Sequence, residues 1–416
     1  MSLSMLRALP LASAFALALV GCGSNSTRAP TTSTDAGATD GGAPITGLTP
    51  QTWTWVPFPD AHCRDGSSTG LGINVNPSST KVMIYLEGGG ACFNSTTCLV
   101  TPSCFPESGS CSTGTFDSWK SGTASRLPSG ALTGIFDRTN AQNPVGDWNM
   151  VYVPFCTGDV FAGTNPSAQV PGVSGTQEFV GYTNIGLYLA RLAPTFPNVS
   201  QVLLTGVAAG GLGAVINYLQ VAKAFGSVPV QMLDDSGPLM EDPYVPKCLQ
   251  AQWGQLWGVD KIMLPACGAD CPDPTNYYVD AQKHLANLFS NRQFGLIDAI
   301  DDGIISQFYG FGANNCAQTF LPTPVPAQTY LEGLQDIRTK LAGSSNFGSF
   351  LFNGTDHPTL STAKFYTLTA GGSTSADGGT PGGGAGEAGA PDGGGGVLLT
   401  DWMKQFLAGT VANVGP

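Results

Sequence analysis

Short, almost continuous apolar runs alternate with segments of helical periodicity between residues 47 and 370. Four of the runs predict β-strands, at Lys81–Leu86, Asn149–Pro154, Gln201–Thr205 and Val228–Leu233. Apolar residues recur at helical spacing in three longer segments, Leu212–Phe225, Tyr278–Phe289 and Ala327–Leu341. Strands that are apolar along their whole length are buried on both faces. The pattern therefore predicts an α/β fold, with a mostly parallel central sheet flanked by helices.

A Gly-rich segment interrupts this pattern near the end of the chain. Of the 26 residues at 371–396, 13 are Gly, and almost none has an apolar side chain. Such a segment cannot bury enough surface to offset its ordering entropy, so it is predicted to be a disordered insertion. The apolar pattern resumes at Val397–Leu407, which predicts a last helix that packs on the core. We therefore expect a single domain over residues 47–416.

The first 46 residues indicate export. Arg7 is the only charge in residues 1–21, and an apolar run from Ala8 to Val20 follows it, which predicts a signal peptide. The run ends in Leu-Val-Gly-Cys, which resembles a bacterial lipobox, so Cys22 is the expected lipidated residue; an ordinary signal peptide is the alternative. Residues 22–46 are rich in Ser, Thr, Gly, Ala and Pro, as a flexible tether is. The expected location is a membrane-anchored lipoprotein at the cell envelope, at the outer membrane or cell surface.

Charge and composition exclude some classes of partner. The chain has 17 basic and 29 acidic residues, a formal net charge of −12. A nucleic-acid-binding protein needs a basic face that displaces counterions, so nucleic acid is excluded as a partner. The membrane is expected as a partner through the lipid anchor only. A hydrophobic content of 42% is sufficient for a sizeable core.

The cysteines fit an oxidising compartment. Besides Cys22 there are ten, an even number that predicts up to five disulfides. Cys267 and Cys271 are close enough in sequence to pair locally, whereas the other pairings stay open. A metal site is the competing interpretation. No Cys pair has a matching His pair among the three His residues, so no metal is expected.

Two Gly-rich turns follow predicted strands and are the first candidates for chemistry. Leu86–Cys92 (LEGGGAC) contains three consecutive Gly, whose backbone N–H groups can turn toward a ligand as in an oxyanion hole. Gly206–Gly213 (GVAAGGLG) lies between a strand and a helix, where a nucleophile elbow of the form G-x-S-x-G is expected. Its central residue is Ala208, which has no nucleophilic atom.

A late histidine completes the candidate set. His357 lies in NGTDHP, directly after the apolar run Phe350–Phe352, and Asp301 and Asp302 stand between it and Ala208. This order of nucleophile, acid and late His is that of α/β-hydrolases. His62 precedes the whole sheet, and His284 lies within a predicted amphipathic helix, so both fit less well.

Eight segments in order resemble the pectinacetylesterase/Notum-like family. They are LEGGGACF, VPFCTGDVFAG, GYTNIGLYLARL, GVAAGGLGA, LDDSGP, FGLIDAIDDGIISQFYG, GTDHPTL and DWMKQFL. The resemblance covers most of residues 50–370 together with 397–416. Bacterial members of the family that are similar to this chain are usually lipoproteins. The resemblance implies an α/β-hydrolase-like fold. Members of this family are secreted serine esterases that remove acetyl or fatty acyl groups, and this hydrolysis needs no metal or organic cofactor.

The resemblance also implies a role for each candidate residue. Ala208 occupies the nucleophile position, Asp302 is the acid with Asp301 as the fallback, and His357 is the general base. The oxyanion hole is assigned to the backbone N–H groups of three residues, Gly89, Gly90 and Ala209. Asp235 and Ser236 match a DSG turn of the family, for which a structural role is expected. Ala91 replaces the aromatic residue that usually follows the glycines, so the mouth of the pocket is expected to be wider.

The missing serine determines the functional expectation. Covalent catalysis is impossible without the hydroxyl, so we expect an impaired or inactive esterase that binds an acylated glycan or peptide. A deliberate Ser→Ala replacement would have the same consequence. One alternative is an active esterase in which His357 and Asp302 activate a water, or in which another serine such as Ser236 attacks. A surface interaction protein without a small-molecule pocket is the second alternative.

Overall fold

The computed structural model describes most of the chain. It covers residues 42–100, 134–317, 320, 322–371 and 395–416. The predicted signal peptide, Cys22, most of the tether and most of the Gly-rich insertion lie outside the described residues, as do Cys104 and Cys111.

A nine-stranded sheet forms the centre of the fold. Its strands are β1 (Thr54–His62), β2 (Ser68–Asn74), β3 (Lys81–Leu86), β4 (Asn149–Val153), β7 (Gln201–Val207), β8 (Val230–Asp235), β9 (Phe294–Ala299), β10 (Phe347–Phe352) and β13 (Asn413–Val414). The strand order is β1-β2-β4-β3-β7-β8-β9-β10-β13. β2 pairs antiparallel with β1 and β4, and the other neighbours pair parallel. The mostly parallel sheet predicted from the sequence is confirmed.

Helices and two small ladders surround the sheet. The helices of six or more residues in the described part are α1 (Gly181–Thr195), α2 (Ala209–Phe225), α3 (Lys247–Trp257), α4 (Val259–Cys267), α5 (Tyr278–Leu288), α6 (Ile305–Gly310), α7 (Ala327–Leu341) and α8 (Leu399–Leu407). The ladders pair β5 (Asn165–Ala168) with β6 (Gln177–Phe179), and β11 (Thr369–Ala370) with β12 (Val397–Leu398). No helix in the described ranges is both long and apolar enough to cross a membrane.

The sheet has a separate hydrophobic layer on each face. Along β3, Val82 and Ile84 pack into one layer, whereas Met83 and Tyr85 pack into the other. Side chains of a strand point alternately to opposite faces, so a strand between two layers must be apolar at every position. This is why the central strands were recognisable as unbroken apolar runs.

The register of three adjacent strands creates the site. Leu86 at the end of β3 pairs with Gly206 of β7, and Val207 of β7 pairs with Asp235 at the end of β8. Parallel strands that end together leave a crevice at their carboxyl edge, where ligands of open α/β sheets bind. Both Gly-rich turns found in the sequence therefore emerge side by side at this edge.

Four disulfides join the described cysteines. They are Cys63–Cys156, Cys92–Cys98, Cys248–Cys316 and Cys267–Cys271, the last as its spacing predicted. Cys63–Cys156 closes the longest loop, with a sequence separation of 93. Loop-closure entropy gives a cross-link of this span about 4–5 kcal/mol of stabilisation.

Two boundaries differ from the sequence-based expectation. Ile45, assigned to the tether, is buried on the domain, and its N–H donates to Thr195 Oγ1 at the end of α1. One apolar residue in a polar segment carries no periodicity, so the sequence could not reveal this contact. β8 begins and ends two residues later than predicted, because Asp234 and Asp235 belong to the buried strand.

Candidate active site

Ala208 occupies the sharp turn between β7 and α2. Its backbone has φ 54° and ψ −117°, a conformation that costs energy in any residue with a Cβ. The Ala208 N–H donates to the Asp235 carbonyl at 2.8 Å, and the Leu212 N–H donates to the Ala208 carbonyl at 3.1 Å. Hydrogen bonds from two neighbouring elements thus hold the geometry of a nucleophile elbow, although the side chain offers no nucleophile.

The glycines of this turn are required by close backbone contacts. A Cβ on Gly210 would lie 2.0 Å from the Leu86 carbonyl oxygen, and one on Gly206 would lie 2.4 Å from the Gly210 carbonyl oxygen. The first turn of α2 therefore packs directly on the backbone of β3. This contact brings the elbow against the loop that follows β3.

Gly210→Ala is expected to lower the free energy of unfolding by about 3 kcal/mol, because a backbone atom must move to admit the methyl group. Denaturation with guanidinium chloride measures the change. Gly343→Ala is the matched control: its Cβ would meet no atom within 4 Å, so its stability should stay within about 0.5 kcal/mol of the native value. Equal stabilities for the two variants would contradict the packing of the elbow.

His357 and Asp302 form a buried pair. His357 Nδ1 lies 2.7 Å from Asp302 Oδ2, and the two side chains are 9% and 0% exposed. The other carboxylate oxygen, Oδ1, accepts the N–H groups of Ile304 and Ile305, each at 2.8 Å. The carboxylate is thereby fixed at the start of α6. With Nδ1 donating to it, Nε2 is the ring nitrogen left to accept a proton or to donate one.

Asp235 supports the loop that carries His357. Its carboxylate accepts the N–H groups of Thr359 and Leu360, at 3.0 and 2.6 Å, and the hydroxyls of Thr359 and Ser236. Burial raises the pKa of Asp235, and the hydrogen bonds from Leu360, Ser236 and Thr359 oppose that rise. The DSG turn therefore has the structural role expected from the sequence.

A cavity of about 480 Å³ opens over the elbow. Its lining is mainly apolar and aromatic, and includes Trp253 and Trp257 of α3, Tyr278 of α5 and Tyr309 of α6. Ala208 and His357 line the same cavity. This combination of an apolar volume and a few converging polar groups is typical of a binding site for a mostly apolar ligand.

The three residues expected to form the oxyanion hole also line this cavity. The backbone N–H groups of Gly89, Gly90 and Ala209 donate to no acceptor in the described part of the chain. The loop that carries the two glycines is held further along, where the Trp257 indole N–H donates to the Cys92 carbonyl at 3.1 Å. The donors are therefore fixed in position and available to a ligand oxygen.

The remaining candidates do not belong to this cavity. His62 pairs with Glu178, and His284 pairs with Asp270. Ser236 is fully buried and donates to Asp235, and it does not line the cavity. Within the described ranges, no group of three His, Cys, Asp or Glu side chains is arranged to hold a metal ion.

Sequence reasoning missed the cavity walls. The aromatic side chains that line it come from α3, α5 and α6, which follow the elbow in sequence by some 45 to 100 positions. The only available signal was a high density of aromatic residues in otherwise ordinary helical segments, and that pattern equally describes a packed core. Ala91, the residue at which the family resemblance implied a wider pocket mouth, lines the cavity.

The comparisons with known proteins identify a family and a fold. A family model described as Pectinacetylesterase matches residues 53–271, more than half of the chain. The chain belongs to the pectinacetylesterase family. Similar sequences include the palmitoleoyl-protein carboxylesterase NOTUM of Drosophila melanogaster, 26% identical over 227 residues, and notum2 of Xenopus laevis, 31% identical over 188 residues.

These relatives are longer than the shared region. The match to the Drosophila protein covers 49% of this chain and 30% of that protein, and the match to notum2 covers 42% and 34%. The chain thus spans about a third of the length of the relatives it matches. A crystal structure of the Wnt deacylase Notum from Drosophila superimposes with a TM-score of 0.54 at 20% identity, over 77% of this chain and 89% of that one. The pectinacetylesterase-family chain therefore has the Notum-like α/β-hydrolase fold.

Proposed function

We propose that this chain binds an acylated glycan or peptide in the cavity above Ala208 without hydrolysing it efficiently. The observation that carries the proposal is the alanine at an otherwise complete nucleophile elbow. An apolar cavity suits the acyl chain, and the unpaired N–H groups of Gly89, Gly90 and Ala209 suit the ester carbonyl. The names of the similar carboxylesterases support an acyl ligand.

The proposed chemistry of the ancestral site follows from the geometry. In a serine esterase, His357 Nε2 would take the proton of the nucleophile while Asp302 holds the ring, and the backbone N–H groups would stabilise the oxyanion. Here the side chain that forms the covalent bond is missing. Recognition of the ester is retained, and acyl transfer is lost.

A water-dependent esterase is the second candidate. The intact hydrogen bond between His357 and Asp302 favours it, because a positioned His can take a proton from water as from a hydroxyl. Attack by Ser236 has no such support, since that hydroxyl donates to Asp235 within the core.

Calorimetric titration with methyl decanoate tests the proposal. The native chain is expected to bind this ester and to release product no faster than buffer does. Ile304→Gln should weaken binding about tenfold, because Ile304 lines the cavity and its apolar contact is lost. Leu288→Gln is the control, an exposed apolar residue that does not line the cavity. Absence of binding would contradict the proposal. Product release by the native chain that is lost in His357→Ala would favour the water-dependent esterase.

We propose further that the protein is exported and held at the cell envelope by lipid on Cys22. The disulfides support an oxidising compartment, as does the leader-like composition of residues 1–21. Cys22→Ser is expected to move the protein from the membrane fraction to the soluble fraction of the producing bacterium. An unchanged membrane fraction would contradict the lipid anchor.

A further inference from the structure

We propose that the preferred ligand of this cavity is a free long-chain carboxylic acid, with its carboxylate held between His357 and the backbone donors of the elbow. The inference rests on the proposed function, namely that the site binds without turnover. It specifies the head group of the ligand. The chain would then act as a receptor or carrier for the acid that esterases of the same fold release.

The backbone donors require an acceptor, and an anion satisfies them best. Gly89, Gly90 and Ala209 line the cavity, and their N–H groups have no acceptor in the described residues. Ala209 is also the first residue of the 17-residue helix α2, whose start has no side-chain cap. The partial positive charge of a helix N-terminus favours a negative oxygen there.

His357 supplies the second, independent donor. Its side chain is nine-tenths buried and lines the cavity, and Nε2 has no hydrogen-bond partner among the described residues, because Asp302 is bonded to Nδ1. An ester carbonyl bound by the backbone N–H groups offers this nitrogen no strong acceptor. A carboxylate has a second oxygen for it.

Alanine at position 208 makes room for that second oxygen. A serine hydroxyl would project from the Ala208 Cβ into the cavity and would itself pair with His357. Ala208 and His357 line the same cavity, and a methyl group at position 208 takes up less of it than a serine side chain would. One carboxylate oxygen then accepts the backbone N–H groups, and the other accepts the N–H of His357.

The charges around the head group can be balanced. Several carboxyl groups lie nearby, including the buried Asp234 and Asp298. Asp302 and Asp235 are held by backbone N–H groups, and Glu87 Oε2 accepts the Phe155 N–H at 2.9 Å. A ligand that enters together with its proton, with that proton between its carboxylate and the His357 ring, brings no unbalanced charge into this setting. The bound acid and its proton then add no net charge to the apolar site.

The remainder of the cavity suits the chain of the acid. Apolar side chains of α2, α3 and α6, among them Leu212, Trp253 and Phe308, form its walls. Each methylene group buried there adds to the affinity, because apolar surface is removed from water. The walls therefore provide affinity, and the head-group donors distinguish an acid from an ester or alcohol.

Calorimetry with decanoate, methyl decanoate and decanol on the full chain tests the inference. Decanoate is expected to bind at least about tenfold more tightly than the other two ligands, because it alone forms the charge-assisted hydrogen bonds. Ala208→Ser should weaken decanoate binding about tenfold, since the hydroxyl takes the place of one oxygen, and should leave decanol binding within about twofold.

The outcomes separate this inference from the proposed function. If methyl decanoate and decanol bind and decanoate is not preferred, the carboxylate site is wrong, and the cavity remains an acyl-binding site. Unchanged decanoate affinity in Ala208→Ser would likewise overturn the inference. If none of the three ligands binds, the proposed function fails as well.

Discussion

Ala208→Ser is expected to raise the rate of ester hydrolysis by on the order of 10³ or more over the native chain, since the triad serine accounts for most of the acceleration in serine hydrolases. The elbow, the His357–Asp302 pair and the backbone donors are already assembled around position 208. The substitution adds one hydroxyl where the Ala208 side chain faces the cavity. Under the proposed function, the missing hydroxyl oxygen at position 208 is what limits ester hydrolysis.

Release of p-nitrophenol from p-nitrophenyl acetate and decanoate measures this gain. Two esters are needed, because the length of the preferred acyl chain decides which is turned over. Ala208→Gly should show no gain, and Ala208→Ser combined with His357→Ala should return to the native rate. Equal rates in the native chain and Ala208→Ser on both esters would show that the elbow is not a catalytic site.

Asp302→Asn in the Ala208→Ser background is expected to lower kcat by about 10³–10⁴ with little change in KM. An asparagine can present an N–H to His357 Nδ1, which favours the tautomer whose Nε2 carries a proton and cannot act as the base. Substrate contacts in the cavity are left intact, so the loss falls on the chemical step.

Asp301→Asn in the same background is the matched control. Asp301 is the preceding residue, and the His357 ring bonds to Asp302 instead. Its kcat should stay within about twofold of that of Ala208→Ser, because it removes no contact of the His357 ring. A larger loss in Asp301→Asn than in Asp302→Asn would reassign the acid.

The sequence was sufficient to predict the layers of the fold because its central strands are buried on both faces. β3 matches its apolar run residue for residue. The start of α2 was placed at Leu212, three residues late, since Gly210 and Gly211 are poor helix formers. Tertiary contacts explain why those glycines are helical, because Gly210 packs on the backbone of β3 and Gly211 packs against Asp234 of β8.

The polar half of the site was predictable, whereas the apolar half was not. Ala208, His357 and the glycine loop each follow a strand, and strand ends of a parallel sheet meet at one edge. Asp302 was preferred to Asp301 only through the family resemblance, because spacing alone does not supply a side-chain direction. The cavity walls depend on how α3 and α6 fold back over that edge, a long-range arrangement with no local signal.

The β11–β12 ladder has a consequence for how this protein can be altered. Ala370 pairs with Val397, so the two ends of the Gly-rich segment are fixed side by side on the domain, whatever lies between them. A closed junction of this kind tolerates changes of length, because each doubling of the loop costs only about 0.6 kcal/mol. The junction is thus a permissive insertion point, at which a reporter or an affinity module can be added without disturbing the cavity.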